Sequence, residues 1–215
     1  TNSSTTVSQV RRLQLDAGER LLRFEQLEQE NLHLRELLQM SERVQTKSIA
    51  ADILYNAPDP FARKVILDRG TQQGVEAGLA VVDANGVIGQ VTRVHPVQSE
   101  VTLLTDRNQS IPVSVVRNGV RGVLYGVGRG MLEMRHVLAE VDIQPGDRLV
   151  TSGLDGIFVP GLPVATVTRV DRDQDAFARI ECEPLAAIER SVQVLVIGRA
   201  AYPPPPPPPE PAGER

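Results

Sequence analysis

The sequence predicts a mainly β protein with an N-terminal α-helix: a coiled-coil helix followed by two small β-barrel subdomains. Three observations predict it. The composition changes sharply along the 215 residues, from a Leu/Glu/Arg/Gln-rich stretch over 8–45, with one Gly and no Pro, to a Val/Ile/Gly/Thr-rich stretch over 48–200. The first stretch carries a heptad, and the second carries short apolar runs spaced by about ten residues. A weak internal repeat divides those runs into two sets. The expected division is 1–47 for the helix, 48–119 for the first barrel, 120–200 for the second and 201–215 for a proline-rich tail.

The heptad places Val10, Ala17, Phe24, Asn31 and Leu38 at position a, and Leu13, Arg20, Leu27 and Leu34 at position d. Seven of these nine are apolar, so one stripe of the helix needs a partner. A lone Asn at a pairs with its twin and selects register and a two-stranded state. In a parallel pair, Arg23 faces Glu28 and Glu30 faces Arg35, with opposite charge each time. At ~1.5 Å per residue the helix reaches roughly 55 Å. A single amphipathic helix packed on its own domain would show much of the same pattern.

The strands are expected at 49–55, 64–67, 80–83, 87–94, 101–105, 111–116, 120–125, 131–136, 148–151, 164–170, 176–183 and 192–197. Ala84-Asn85-Gly86 is a hairpin signal between two of them. Ala176, Ala178, Ile180 and Cys182 alternate with Phe177, Arg179 and Glu181, so one face of that strand is buried. The repeat runs from Val75-x-x-Gly78 to Val91-Thr92-Arg93-Val94, and again from Ile143-x-x-Gly146 to Val167-Thr168-Arg169-Val170. Two related β modules therefore meet near 118–128, where Gly119, Gly122, Gly126 and Gly128 allow tight turns or close approach. The repeat leaves open whether the last strand completes the second barrel or the first. Seven consecutive prolines open the tail at 203–209, which is expected to be polyproline II or disordered.

Composition excludes several functions. Four Phe, three Tyr and no Trp leave an aliphatic core. A net charge of -4 without a basic stripe argues against nucleic acid. One cysteine, Cys182, and three scattered histidines form neither a disulfide nor a metal-ligand spacing. No stretch reaches the ~18 apolar residues of a membrane span. The chain opens Thr1-Asn2-Ser3-Ser4, without signal peptide or initiator methionine, and is expected to be a piece of a longer protein. No nucleophile elbow, phosphate loop or zinc motif is present. The best triad set is Ser152 with His136 and Asp142 or Asp155, and nothing in its spacing singles it out. Cys182 reads as a small core residue. No enzyme activity, cofactor, metal or small-molecule substrate is expected.

Four stretches carry a resemblance over about residues 20–197. They are Asp68-Arg69-Gly70-Thr71-Gln72-Gln73-Gly74 running on to Gly78, Asn85-Gly86-Val87-Ile88-Gly89-Gln90-Val91, 99–106 ending Leu103-Leu104-Thr105-Asp106, and, most specific, 146–164 with Gly161-Leu162-Pro163-Val164 at its end. With these the chain resembles the rod shape-determining protein MreC family. Asp155 stands where that family often has Gly. The proline tail is not a family feature. The resemblance implies a periplasmic location and an inner-membrane anchor through an N-terminal helix absent from this chain. It also implies dimerisation with further self-assembly, and a non-enzymatic scaffold role in the elongation (rod) complex that maintains cell shape. The implied partners are the elongation-specific penicillin-binding transpeptidase, and MreD and MreB through the anchor.

On this reading the coiled coil pairs two chains, and a groove or strand edge of the barrels meets the transpeptidase and biases it towards an active arrangement. Aromatics being scarce, Phe61, Tyr125 and Phe158, the last with Ile157 and Val159, are the candidate anchors. The 157–159 tip is either such a contact or a plug for its own barrel. The rival reading is a periplasmic adaptor subunit of an efflux or secretion system, suggested by 143–150. An adaptor requires a returning helix that this sequence does not show.

Overall fold

A computed structural model describes residues 2–44, 46–172 and 176–199. Helix α1 spans Asn2–Val44 without a proline to break it. Arg43 in its last turn opposes the helix dipole, and the Thr46 hydroxyl donates to the Val44 carbonyl at 2.9 Å. The proline-rich tail at 201–215 lies outside the described residues.

Twelve strands follow: β1 (Ser48–Asn56), β2 (Lys64–Leu67), β3 (Ala80–Val82), β4 (Val87–Val94), β5 (Ser99–Leu103), β6 (Ser110–Val115), β7 (Arg121–Gly126), β8 (Leu132–Leu138), β9 (Arg148–Thr151), β10 (Pro163–Asp171), β11 (Phe177–Pro184) and β12 (Gln193–Ile197). Each matches an expected strand, with ends shifted by no more than two residues. All pairings are antiparallel, and the strands close into two barrels, β1-β12-β3-β4-β5-β2 and β7-β6-β9-β10-β11-β8. The interior is aliphatic, with Leu67, Ile88, Leu104, Ile111, Leu124, Leu149 and Ile180 fully buried. Cys182 shares the inner face of β11 with Ala178 and Ile180, and burial pushes its thiol up to about 12, with a smaller push from Glu181.

The repeat is real at the level of hydrogen bonds. Val75 and Ile143 are each 1% exposed. Gly78 and Gly146 follow them with φ of 92° and 90°, a conformation that favours glycine. Gly78 N–H donates to Val91 O and Gly146 N–H to Val167 O, both at 2.7 Å. The two Val-Thr-Arg-Val stretches each carry a β-bulge, between Val91 and Arg93 and between Val167 and Arg169.

Superposing the two strand orders puts β7 on β1, β8 on β2, β9 on β3, β10 on β4 and β11 on β5. The remaining slot holds β12 in the first barrel and β6 in the second. Each repeat thus supplies five strands to one barrel and its sixth strand to the other. This corrects the expected division at 119/120: 48–119 and 120–200 are the two sequence repeats, not the two barrels. The strand at 110–115 belongs to the second barrel, and the final strand completes the first. The error has a physical cause. An alternating apolar strand fits the vacant slot of either barrel equally well, and only its pairing partner tells the two apart.

Buried aspartates pin both crossings. In the β5–β6 connection, Asp106, 3% exposed, accepts from Arg63 N–H at 2.7 Å and Asn108 N–H at 2.8 Å. Asp83, 1% exposed at the β3–β4 turn, accepts from Asn85 and Gly86 N–H on one oxygen and from Ala187 N–H and the Ser191 hydroxyl on the other. The latter pair lies in the β11–β12 connection. Arg63 adds hydrogen bonds to Gly128 O and to Glu189. A Cβ on Gly86 would lie 2.6 Å from Pro163 O, and one on Gly126 would collide with the Asp106 carbonyl, so both positions admit only glycine.

Cleaving the exposed turn between Gly119 and Val120 separates the two repeats. Fragments 1–119 and 120–215 are each expected to show collapsed amide dispersion by NMR, and their mixture to recover the intact spectrum. A monomeric folded fragment would mean that the strand exchange is dispensable.

Candidate functional site: the helix seam and the barrel surface

Helix α1 serves two faces. One docks: Leu37 and Met40 are buried, His33 Nε2 lies 3.4 Å from Gln193 O, and the Ser41 and Ser48 hydroxyls share a 2.8 Å hydrogen bond. A small cleft of about 170 Å³ separates Met40, Arg43 and Val44 from Val159–Pro163 of the second barrel. The other face is the heptad stripe. Val10, Leu13, Ala17, Phe24, Leu27, Asn31, Leu34 and Leu38 are all exposed, Phe24 and Leu38 each to 61%. At 100° per residue the stripe lies roughly 110° round the helix from the docked face. Docking on the barrels therefore leaves the seam free to its last member. Leu37 and Met40 fall off the heptad seam, at positions g and c, and that offset was the available sequence signal for a second face. Leu15, Leu21, Leu22 and Leu32 are also exposed, off the seam.

The five aromatic and apolar surface candidates do not share one place. Phe61 projects from the β1–β2 connection of the first barrel, 94% exposed. Tyr125 lies on β7 of the second barrel with the Arg135 guanidinium 4.9 Å above its ring. Ile157 and Val159 are partly exposed on the β9–β10 loop. Phe158 between them is 3% exposed, so it is a plug and not an available contact. The turn dictates this. Asp155 Oδ1 accepts from Ile157 and Phe158 N–H at 3.1 and 3.2 Å, and Thr151 Oγ1 bonds Val159 O and accepts from Leu162 N–H, which folds the tip inward.

The triad candidates do not converge. Asp142 pairs with Arg117 at 2.9 Å, Asp155 holds its own turn, and His136 meets Phe177 edge-on at 6.4 Å. Ser152 Oγ takes only a 3.5 Å hydrogen bond from Leu154 N–H. Among the described residues no group of three or more His, Cys, Asp or Glu is placed to hold a metal, and no helix is long and apolar enough to cross a membrane.

Arg117 organises the strongest charge cluster. It grips Asp147 with two hydrogen bonds of 2.8 and 3.0 Å and Asp142 with two of 2.9 and 3.1 Å. Its guanidinium holds both carboxyls below the usual carboxylate range, and they hold Arg117 above its own. The cluster clamps the β6–β7 turn onto the β8–β9 connection.

Comparison with known proteins places this architecture. The family profile described as rod shape-determining protein MreC, barrel core, matches residues 53–198. The chain belongs to the MreC family. Cell shape-determining protein MreC of Haemophilus influenzae is 40% identical over 92% of this chain, and that of Escherichia coli is 37% identical over 82%. The chain spans about half the length of these relatives, 57% and 49%. Crystallised MreC from Pseudomonas aeruginosa is 42% identical, with a TM-score of 0.68 over 71% of this chain and 99% of its own. MreC from Helicobacter pylori, solved in complex with the penicillin-binding protein PBP2, shares the fold at 19% identity and a TM-score of 0.57, over 71% of this chain and 99% of its own.

Two outcomes follow from the burial and charge of this surface. Phe158→Ala is expected to destabilise the protein by about 3–5 kcal/mol, read by denaturant unfolding. A variant as stable as the parent would return Phe158 to the surface. The Arg117 clamp makes stability acid-sensitive. Because both carboxyls are lowered in the folded state, their contribution is complete above roughly pH 4, the free carboxylate value, and is lost as pH falls through the lowered values. Scanning calorimetry from pH 6 to pH 2 should show a shallower loss of Tm for Asp142→Asn/Asp147→Asn than for the parent.

Proposed function

We propose that this chain is a non-enzymatic scaffold of the periplasmic cell-wall elongation machinery. Its helices pair two chains along the heptad seam. Its barrels bind a penicillin-binding transpeptidase and bias it towards the active arrangement. An N-terminal membrane anchor outside this sequence joins the assembly to MreD and MreB, and further self-association extends it. The observation that carries the reading is the exposed seam, which stays apolar and unpartnered while a different face of the same helix is already docked. Membership of the MreC family, the cell-shape role named for its relatives and the Helicobacter pylori complex support the partner class. The adaptor reading gains nothing, because the described structure has one helix ahead of all strands and no returning helix.

A dimer on this seam buries Phe24, Leu27, Leu34 and Leu38 against their twins and sets Asn31 against Asn31. Leu27→Lys/Leu34→Lys is expected to convert the dimer to a monomer in analytical ultracentrifugation while the barrels melt within about 2 °C of the parent, the change at solvent-facing positions being small. The same variant should still bind the periplasmic part of an elongation transpeptidase, with lower avidity. A variant that remains dimeric would remove the seam from the account.

A further inference from the structure

One aromatic side chain stands almost wholly in water. Phe61 is 94% exposed, against 69% for Leu15, the next large apolar residue among those described. A lone exposed apolar side chain is ordinary. What sets this one apart is the loop that holds it.

Pro58 and Pro60 each lock φ at about −65°. Between them Asp59 N–H donates to Ala57 O at 2.8 Å, and Asp59 Oδ1 accepts from Phe61 N–H at 2.9 Å, an Asx turn directly under the ring. Both ends of the loop are tied. Ala57 N–H donates to Lys64 O at 2.9 Å, Leu103 N–H to Arg63 O at 2.9 Å, and Arg63 N–H to Asp106 Oδ2 at 2.7 Å. Arg63 and Asp106 belong to the crossing between the barrels, so the ring is mounted on the body that both barrels share.

The ring has apolar neighbours at the same end of β1. Leu54 and Tyr55, 47% and 51% exposed, lie just before the loop. A bulge between Ile53 and Tyr55 breaks the alternation and lets these adjacent residues both face water. Val192, 62% exposed, accepts through its carbonyl from Ile53 N–H at 2.8 Å. The surrounding charges largely cancel, Arg63 against Glu189, Lys64 against Glu100 and Arg69 against Asp68. That leaves the carboxylates of Asp52 and Asp59 against Arg190, which precedes Val192 by two residues, so the patch has an acidic margin.

We propose that Phe61 is an anchor that enters an apolar pocket on the transpeptidase, with Leu54, Tyr55 and Val192 closing over the pocket's mouth and cationic groups on that mouth meeting Asp52 and Asp59. A ring already fixed by its loop gives up little conformational freedom on burial, so more of its burial energy appears as affinity. The inference rests on the proposal above that the barrels bind a penicillin-binding transpeptidase, and it names the residue and the chemistry of the contact.

The test is titration calorimetry of the 1–215 chain against the periplasmic part of an elongation transpeptidase. Phe61→Ala is expected to weaken binding by about thirtyfold or more. Its Tm should stay within about 1 °C of the parent, because the ring is in water. Pro58→Ala/Pro60→Ala keeps the ring but loosens the loop, and should cost about three- to tenfold in affinity. Asp52→Lys should weaken binding about fivefold at low ionic strength and less at high. Phe177→Ala, at a half-exposed ring on the second barrel, should bind as the parent does. Undiminished binding by Phe61→Ala, or an equal loss with Phe177→Ala, overturns the anchor and leaves the scaffold reading standing. Unchanged or tighter binding by Asp52→Lys overturns the cationic mouth. No binding by the parent contradicts the scaffold reading and the anchor with it. Self-association of the Leu27→Lys/Leu34→Lys chain that Phe61→Ala abolishes would assign the ring to a second copy and overturn the inference as well.

Discussion

The exchange of β6 and β12 between the barrels is the constraint on which the rest of the structure depends. Neither barrel closes without a strand from the other repeat, so the two share one folding decision, in the manner of a domain swap carried out within one chain. The crossings are short and cannot be left loosely solvated. Asp83 and Asp106 supply them with acceptors, and Gly86 and Gly126 let backbones meet where no side chain fits. The buried carboxylates are tolerable because each is spent on several hydrogen-bond donors; removing one would leave buried N–H groups unpaired.

That shared body gives the helix a fixed platform. Leu37 and Met40 seat it, and the seats lie away from the heptad stripe. A helix docked through its only apolar stripe would have nothing left for a partner, and a helix docked nowhere could not set the direction of the barrels. Dividing the apolar residues between two faces seats the helix on the barrels and leaves the heptad stripe exposed. The same logic accounts for Phe158. Phe158 is buried in the loop that Asp155 and Thr151 fold inward, and the next residues, Val159–Pro163, line the cleft that faces the last turn of the helix.

Much of this was legible in the residues. The heptad, the strands and the repeat follow from periodicity and from turn residues, which are local signals. The Gly78 and Gly146 pair was legible as a repeat, and the structure supplies the reason, a positive φ at equivalent turns. The barrel membership of β6 and β12 was not legible, because alternation specifies a face and not a neighbour. The burial of Phe158 was left open for a related reason: an apolar tip between glycines and prolines reads the same whether it points in or out. Long-range register decides each of these.

The central claim is that both barrels and the exchanged strands form one cooperative unit. Native-state hydrogen exchange tests it most directly. The slowest amides of β6 and β12 should open with the same free energy, and the same denaturant dependence, as those of β4 and β10, because no barrel loses its sixth strand without unfolding both. A markedly lower opening free energy for β12 alone, with the second barrel still protected, would contradict the account.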